Sequence, residues 1–139
     1  MRDAGFSRWP YWRRWFGQRS ERAAAKYLRK LGYRILARNV ADLRGELDIL
    51  ALDGRTLVVV EVRSTSSTDL ERAAASVNYT KQKKLTDATL RYLNRRHLIG
   101  KIGVRFDILA VSWPPSAKVP TFWHIPNAFE CVGKFQFYS

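Results

Sequence analysis

The chain has 139 residues, with 25 lysines and arginines against 12 acids, a net charge of +13, 46% hydrophobic and 13% aromatic content. That supplies one core and one domain, and the basic surplus points to a polyanionic partner, nucleic acid first. One cysteine, Cys131, and two distant histidines, His97 and His124, exclude a disulfide framework, a cysteine-rich zinc site and HExxH-type spacing.

No apolar run of about 18 residues could span a bilayer. Arginines interrupt the N-terminus where a signal peptide would be apolar, so a cytoplasmic protein is expected. Charge is unevenly placed. Residues 1 to 38 hold 11 basic and 2 acidic side chains, whereas residues 39 to 63 hold 3 basic and 5 acidic ones. A basic chain has an acidic centre.

Residues 1 to 16 mix Trp9, Trp12, Trp15, Tyr11 and Phe16 with Arg8, Arg13 and Arg14, and read as an extension to a domain over 17 to 139. The composition suits base stacking, a lipid headgroup layer, or a loosely docked terminus. From Ser20, a suitable N-cap, the pattern predicts a helix with Ala24, Tyr27, Leu28 and Leu31 on one side and Gly32 as its stop. Strands are predicted over 33–40, 46–52 and 56–63, then a loop over 64–77 with a helical turn.

A second helix is predicted over 78–97. It carries Leu85, Thr89, Tyr92 and Leu93 on one side and a basic stripe of Lys81, Lys84, Arg91 and Arg95 on another. The stripe reads either as a track for a phosphate backbone or as an ordinary solvated face. "GKIG" over 100–103 has G-x-x-G spacing, but the strand predicted at 104–113 makes a glycine turn the better reading. A short strand is expected at 121–125. Asp107 lies in an apolar strand, where it either joins a site or pairs with a nearby arginine.

The acids of "RGELDILALDGRTLVVVEVRS" stand where strands should be apolar. If Asp53-Gly54 is a two-residue hairpin turn, opposed residue numbers sum to 107. Glu46 then faces Glu61, Asp48 faces Val59 as a diagonal neighbour of Glu61, and Arg44 faces Arg63. Alternation puts Glu46, Asp48, Glu61 and Arg63 on one face. Converging carboxylates repel and lose hydration, so a cation or a proton must compensate them. Mg²⁺ or Mn²⁺ fits oxygen ligands, with Glu46, Asp48 and Glu61 as candidates and Arg63 placed to grip a phosphate. Alternatively, these are strand-edge charges satisfied by neighbouring arginines.

From "GQRSERAAAKYL" through "RGELDIL", "DGRTLVVVEVR", "AAASVNYTKQKKL" and "VRFDILAV" to "WHIPNAF", the sequence resembles the YraN-like uncharacterised family. That family lies within the PD-(D/E)xK, restriction-endonuclease-like nuclease superfamily, which also contains archaeal Holliday-junction resolvases. The resemblance implies an α/β, three-layer core with a mixed central sheet flanked by helices. It implies Asp48 and Glu61 as metal-binding acids, position 63 as the third motif residue, and Glu21 as an acid from the first helix. Gln82 and Lys83 fall in the "KQ" segment, and with Lys81, Lys84, Arg91 and Arg95 they are candidates to bind nucleic acid.

The chain has Arg63 where the nuclease signature prefers lysine, and arginine stays protonated and cannot act as a base. The expected activity is metal-dependent endonucleolytic hydrolysis of DNA, on branched or structured forms, for which a symmetric homodimer would suit a junction. The alternative is a nucleic-acid-binding protein of the same fold without catalysis. A third reading places the working part in the Trp/Arg-rich terminus, on a membrane surface or a partner. No Gly-x-Ser-x-Gly, P-loop or dinucleotide fingerprint occurs.

Overall fold

Residues 57–60 read Leu-Val-Val-Val and residues 108–111 read Ile-Leu-Ala-Val, runs with no polar side. Such strands must be covered on both faces, and this requirement organises the fold. The computed structural model describes residues 11–132, with side chains from residue 17. Along the chain come α1 (Tyr11–Lys30), β1 (Arg34–Asp42), β2 (Gly45–Asp53), β3 (Thr56–Thr65), α2 (Leu70–Ala75), α3 (Tyr79–Arg95), β4 (Gly103–Ser112) and β5 (Thr121–Phe129).

The five strands lie in sequence order in one sheet. Neighbours are antiparallel except β3 and β4, which run parallel because α2 and α3 carry the chain back between them. Ala24, Ala25 and Leu28 of α1 pack on Ile49, Val58, Val60, Leu109 and Val111. On the other face Leu85, Ala88, Tyr92 and Leu93 of α3 pack on Leu50, Leu57, Val59, Phe106, Ile108 and Ala110. Period-2 alternation in β3 and β4 thus feeds two cores. The result is the mixed sheet between helical layers expected of a restriction-endonuclease-like core.

Helix α3 begins where Asn78 caps it, its side chain accepting from Lys81 N at 2.9 Å. Its predicted apolar side is buried as expected. Helix α1 differs from prediction. It starts well before Ser20, because no proline interrupts residues 11–30 and one internal Gly17 costs only about 1 kcal/mol. Ser20 is therefore not an N-cap but a fully buried helix residue, and the helix crosses the boundary drawn at residue 16. Gly32, at φ +97°, stops it as predicted, whereas Leu31 is exposed rather than packed. Of the Trp/Arg-rich stretch, residues 1–10 lie outside the described residues.

The predicted loop over 64–77 contains α2, whose first turn is capped by the Asp69 carboxylate accepting from Arg72 N at 3.0 Å. Gly100, at φ +77°, makes a turn and Gly103 opens β4, so "GKIG" is the glycine turn. The β4–β5 end is fastened by Asp107, which is fully buried. It accepts from Arg105 Nε at 3.0 Å, Asn127 N at 2.9 Å and Tyr33 Oη at 3.3 Å, and lies 2.8 Å from His124 Nε2. The arginine pairing foreseen for Asp107 is present.

Candidate functional site

The β2–β3 hairpin does not turn at Asp53-Gly54. Asp53 pairs with Thr56 and Ile49 with Val60, so Gly54 and Arg55 are the two central residues. Gly54 alone of these has a positive φ, +62°, which suits a turn led by glycine. Opposed numbers accordingly sum to 109, two more than predicted. Val59 faces Leu50 rather than Asp48, and Glu46 pairs with Ala41 of β1 rather than with Glu61. Arg44 lies in the β1–β2 turn, where Asp42 Oδ1 accepts from Arg44 N and Gly45 N at 2.9 and 3.1 Å. A slip of two preserves parity, so the predicted face survives while the partners change. Continued one step past Ile49 and Val60, the register sets Asp48 directly across from Glu61.

The β2–β3 ladder ends there. Beyond the Ile49–Val60 pair the strands part, and Val62 N donates to Asp48 Oδ2 at 3.0 Å. A side-chain carboxylate replaces the carbonyl that a continuing ladder would offer. Glu61 is only 4% exposed. Its Oε2 lies 3.2 Å from Arg63 Nη2 and 3.5 Å from Lys81 Nζ, in the first turn of α3. Its Oε1 is buried and has no donor. Burial first, then the charge of Glu61 and a proton shared with it, hold the Asp48 carboxyl well above the usual carboxylate range; Val62 N and Lys81 pull the other way.

Helix α1 brings Glu21 to the same place; two residues earlier the Arg19 guanidinium stacks 3.4 Å from the Trp113 ring centre. The Glu21 carboxyl is pushed up to about 7, mainly by burial, then by Asp48 and Glu46, with Arg38 and an Asn39 hydrogen bond opposing. Asn39 stands between Arg38, paired with Ile49, and Val40, paired with Leu47, and so lies beside Asp48. It adopts φ +54°, a left-handed conformation inside a strand.

Among the described residues, five side chains have a buried polar atom without a partner: Ser20, Glu21, Arg38, Glu61 and Arg63. Four surround Asp48, and the fifth precedes Glu21. Each such atom costs about 1–3 kcal/mol unless something external satisfies it. Their concentration at one fork in the sheet marks it as the candidate site.

The structure brings together Glu21, Glu46, Asp48, Glu61, Arg63 and Lys81 of the predicted residues. It does not gather the rest of the basic stripe. Arg91 Nε lies 2.6 Å and Arg95 Nη1 3.5 Å from Asp42 Oδ2, about 15 Å along α3 from Lys81. Lys83 pairs with Asp87 at 3.5 Å, Gln82 Nε2 donates to Val77 O at 3.1 Å, and Lys84 is exposed. Arg38 and Asn39 were not singled out from sequence; their signal was an arginine and an asparagine within an otherwise apolar strand pattern, directly before the acidic centre.

Among the described residues no group of three or more His, Cys, Asp or Glu is spaced to hold a metal ion alone. The pair Asp48 and Glu61 nevertheless fits a hard divalent cation, which commonly takes one or two protein carboxylates and fills its shell with water and phosphate. The donor-less Glu61 Oε1 and the mutual repulsion of the pair are what such an ion would relieve.

No helix among the described residues is long and apolar enough to cross a membrane. The model of the "Uncharacterised protein family UPF0102" matches residues 20–111, which contain the whole fork. A UPF0102 protein of Rhodopirellula baltica is 42% identical over 126 residues, covering 88% of this chain and 75% of the relative. One from Persephonella marina is 40% identical over 114 residues, covering 82% of this chain and 92% of that one. A Geobacter sulfurreducens relative is likewise 40% identical, over 82% of this chain and 88% of its own length. With matches of this extent, the chain belongs to UPF0102, the YraN family that its sequence resembles.

Proposed function

We propose that this protein is a cytoplasmic, divalent-cation-dependent endonuclease that hydrolyses phosphodiester bonds in DNA. The observation that carries the reading is the Asp48–Glu61 pair at the strand fork, Glu61 buried and Asp48 half-buried, mutually repulsive and with Glu61 Oε1 lacking a donor. Asp48 and Glu61 would hold Mg²⁺ or Mn²⁺, and Glu46 lies near enough to bear on Glu21 in the same charge field. The ion, when bound, supplies a Lewis acid for a phosphoryl oxygen and lowers the pKa of a water.

The chain's own residues do the rest. Arg63 and Lys81 orient the Glu61 carboxylate through Oε2, and each has further N–H groups to offer a phosphate. The fork ends the β2–β3 ladder at the pair, so Asp48 Oδ2 takes the Val62 amide that a continuing ladder would have taken. The net charge of +13 draws a polyanion toward this otherwise acidic site. Symmetric cutting of a branched substrate would use two copies of the chain.

A second reading, nucleic-acid binding without hydrolysis, is favoured by Arg63, which cannot accept a proton. Calorimetric titration of Mn²⁺ into wild type, Asp48→Asn and Glu61→Gln, followed by incubation with linear and branched DNA, separates the two. Saturable binding lost in both variants, with cleavage by wild type alone, is the expected result. Metal binding without cleavage of any DNA would leave the binding protein; absence of metal binding even with DNA present would overturn the site.

A further inference from the structure

Beyond the fork the sheet divides. β1 and β2 stay paired past Asp48, through Val40–Leu47, Ala41–Glu46 and Asp42–Gly45, whereas the β2–β3 ladder has ended at Ile49–Val60 and β3 continues beside β4 as far as Thr65–Ser112. The β1–β2 hairpin therefore runs on past the carboxylate pair as a two-stranded ribbon. At its tip stands Leu43, 81% exposed, the most exposed large apolar side chain among the described residues, with exposed Arg44 beside it. So open a leucine contributes little to either core, yet the turn that presents it is firmly braced. Asp42 Oδ1 accepts from Arg44 N and Gly45 N at 2.9 and 3.1 Å, and the same carboxylate takes Arg91 Nε at 2.6 Å, Arg91 Nη2 at 3.2 Å and Arg95 Nη1 at 3.5 Å from α3. Three arginines thus gather around one aspartate directly below the leucine.

Extending the endonuclease reading, on which this rests, we propose that Leu43 is a wedge that inserts between neighbouring bases of a DNA held at the Asp48–Glu61 fork, and that it favours DNA whose stacking is already broken. A two-stranded ribbon is narrow enough to enter a duplex groove, and apolar side chains are the ones that part base steps there. Parting an intact step costs free energy that a bulge, gap or branch has already spent, so the wedge discriminates between the two. Leu43 lies five residues from Asp48 in the chain, which places it at most about 17 Å away, roughly five base steps along a duplex. Arg44, Arg91 and Arg95 supply positive charge for the phosphates on either side. Bracing by α3 fixes the tip before DNA arrives, so little ordering remains to oppose insertion. A second copy of the chain is a poorer occupant, because two such arginine-ringed tips on molecules of net charge +13 repel. A single leucine also buries too few carbons to anchor a lipid surface.

The test compares two DNAs of the same sequence, an unbroken duplex and one carrying a bulge, each with 2-aminopurine at the matching position. Anisotropy reads affinity and 2-aminopurine fluorescence reads unstacking, with Ca²⁺ replacing Mg²⁺ so that neither DNA is cut. Wild type should prefer the bulged duplex by about tenfold or more, the scale of burying one leucine, and should raise its fluorescence on binding. Leu43→Ser should lose most of that preference and the fluorescence rise while binding the unbroken duplex as wild type does. Leu43→Phe, another apolar wedge, should keep both. Leu31→Ser is the control: Leu31 is also an exposed leucine, but it precedes β1 at the end away from the tip. It should match wild type throughout. Urea unfolding and Mn²⁺ titration of Leu43→Ser report that the fold and the carboxylate pair are intact.

If Leu43→Ser keeps the preference and the fluorescence rise, or weakens both DNAs equally, or if wild type shows no preference, the wedge is wrong while the endonuclease reading stands on its own Mn²⁺ and cleavage results. A wild-type dimer that Leu43→Ser splits in sedimentation, or wild-type binding to anionic vesicles that Leu43→Ser abolishes, would give the tip to another occupant and likewise overturn the wedge. If wild type binds neither DNA nor Mn²⁺, both fall.

Discussion

Asp48 and Glu61 stand across from one another at the point where β2 and β3 part, and the amide of Val62, next to Glu61, donates to Asp48 Oδ2 at 3.0 Å. One backbone donor is therefore shared out to a carboxylate that burial and Glu61 together make reluctant to ionise. The pair is held in place by the sheet and is left electrostatically incomplete. Its consequences extend from stability to ligand binding.

Stability should be bell-shaped in pH. Glu21, pushed up to about 7, and Asp48, raised, contribute stability that is full below the ordinary carboxyl range near pH ~4 and lost as pH rises through their folded values. Asp42, held low chiefly by the Arg91 hydrogen bond, has the opposite sign. So does Asp107, where burial is outweighed by hydrogen bonds from His124, Arg105 and Asn127 N: their contribution is present above that range and lost as pH falls through the folded values. Urea unfolding from pH 4 to 8.5 should show the stability of metal-free wild type falling as pH rises from the ordinary value of 4.5 through about 7, and less so in Glu21→Gln. Identical alkaline limbs in the two proteins would refute the assignment to Glu21.

Divalent cations should stabilise the fold more at pH 8 than at pH 5, since they compete with the proton that the pair otherwise shares. Mn²⁺ at about 100 times its Kd should add about 2.7 kcal/mol. Thermal scans with and without Mn²⁺ at the two pH values check this, and Glu61→Gln should abolish most of the difference. An equal shift at both pH values would count against a proton-linked site.

Asn39 is left-handed within β1, a conformation that costs a β-branched residue about 1–2 kcal/mol more than asparagine or glycine. Asn39→Val should lose at least that much stability by urea unfolding, and Asn39→Gly under about 1 kcal/mol. If valine is tolerated as well as glycine, the backbone there is not held as described.

Asp107→Ala should destabilise by about 3 kcal/mol or more, because it leaves His124 Nε2 and Asn127 N without their acceptor and Arg105 Nε without its partner, with only Asp53 and Tyr33 Oη still held by that guanidinium. The proposed metal site lies on other strands, so the Mn²⁺ affinity expected of it should persist wherever the variant remains folded. A loss below about 1 kcal/mol in urea unfolding would show that water replaces the network at little cost.

The sequence by itself determined the strands, the buried side of α3, the stop at Gly32 and the face shared by Asp48, Glu61 and Arg63. Each follows from short-range rules: alternation of side chains, helical spacing, and the backbone freedom of glycine. Parity survived the two-residue error in hairpin register because a slip of two returns every side chain to its own face. Which acids oppose each other was decided by the turn, where Gly54 leads with a positive φ, and by the parting of the strands after Ile49.

Only the tertiary structure set Lys81 on Glu61, Arg38 and Asn39 beside Asp48, and Arg91 on Asp42, pairs that lie far apart in the chain or on different strands. The basic stripe of α3 looked uniform in sequence because helical periodicity reports direction, whereas the partner of each lysine or arginine depends on what the sheet presents beneath it. The orphaned atoms of Glu61, Arg38 and Arg63 are likewise invisible in sequence, since an unsatisfied group is defined by what packs around it.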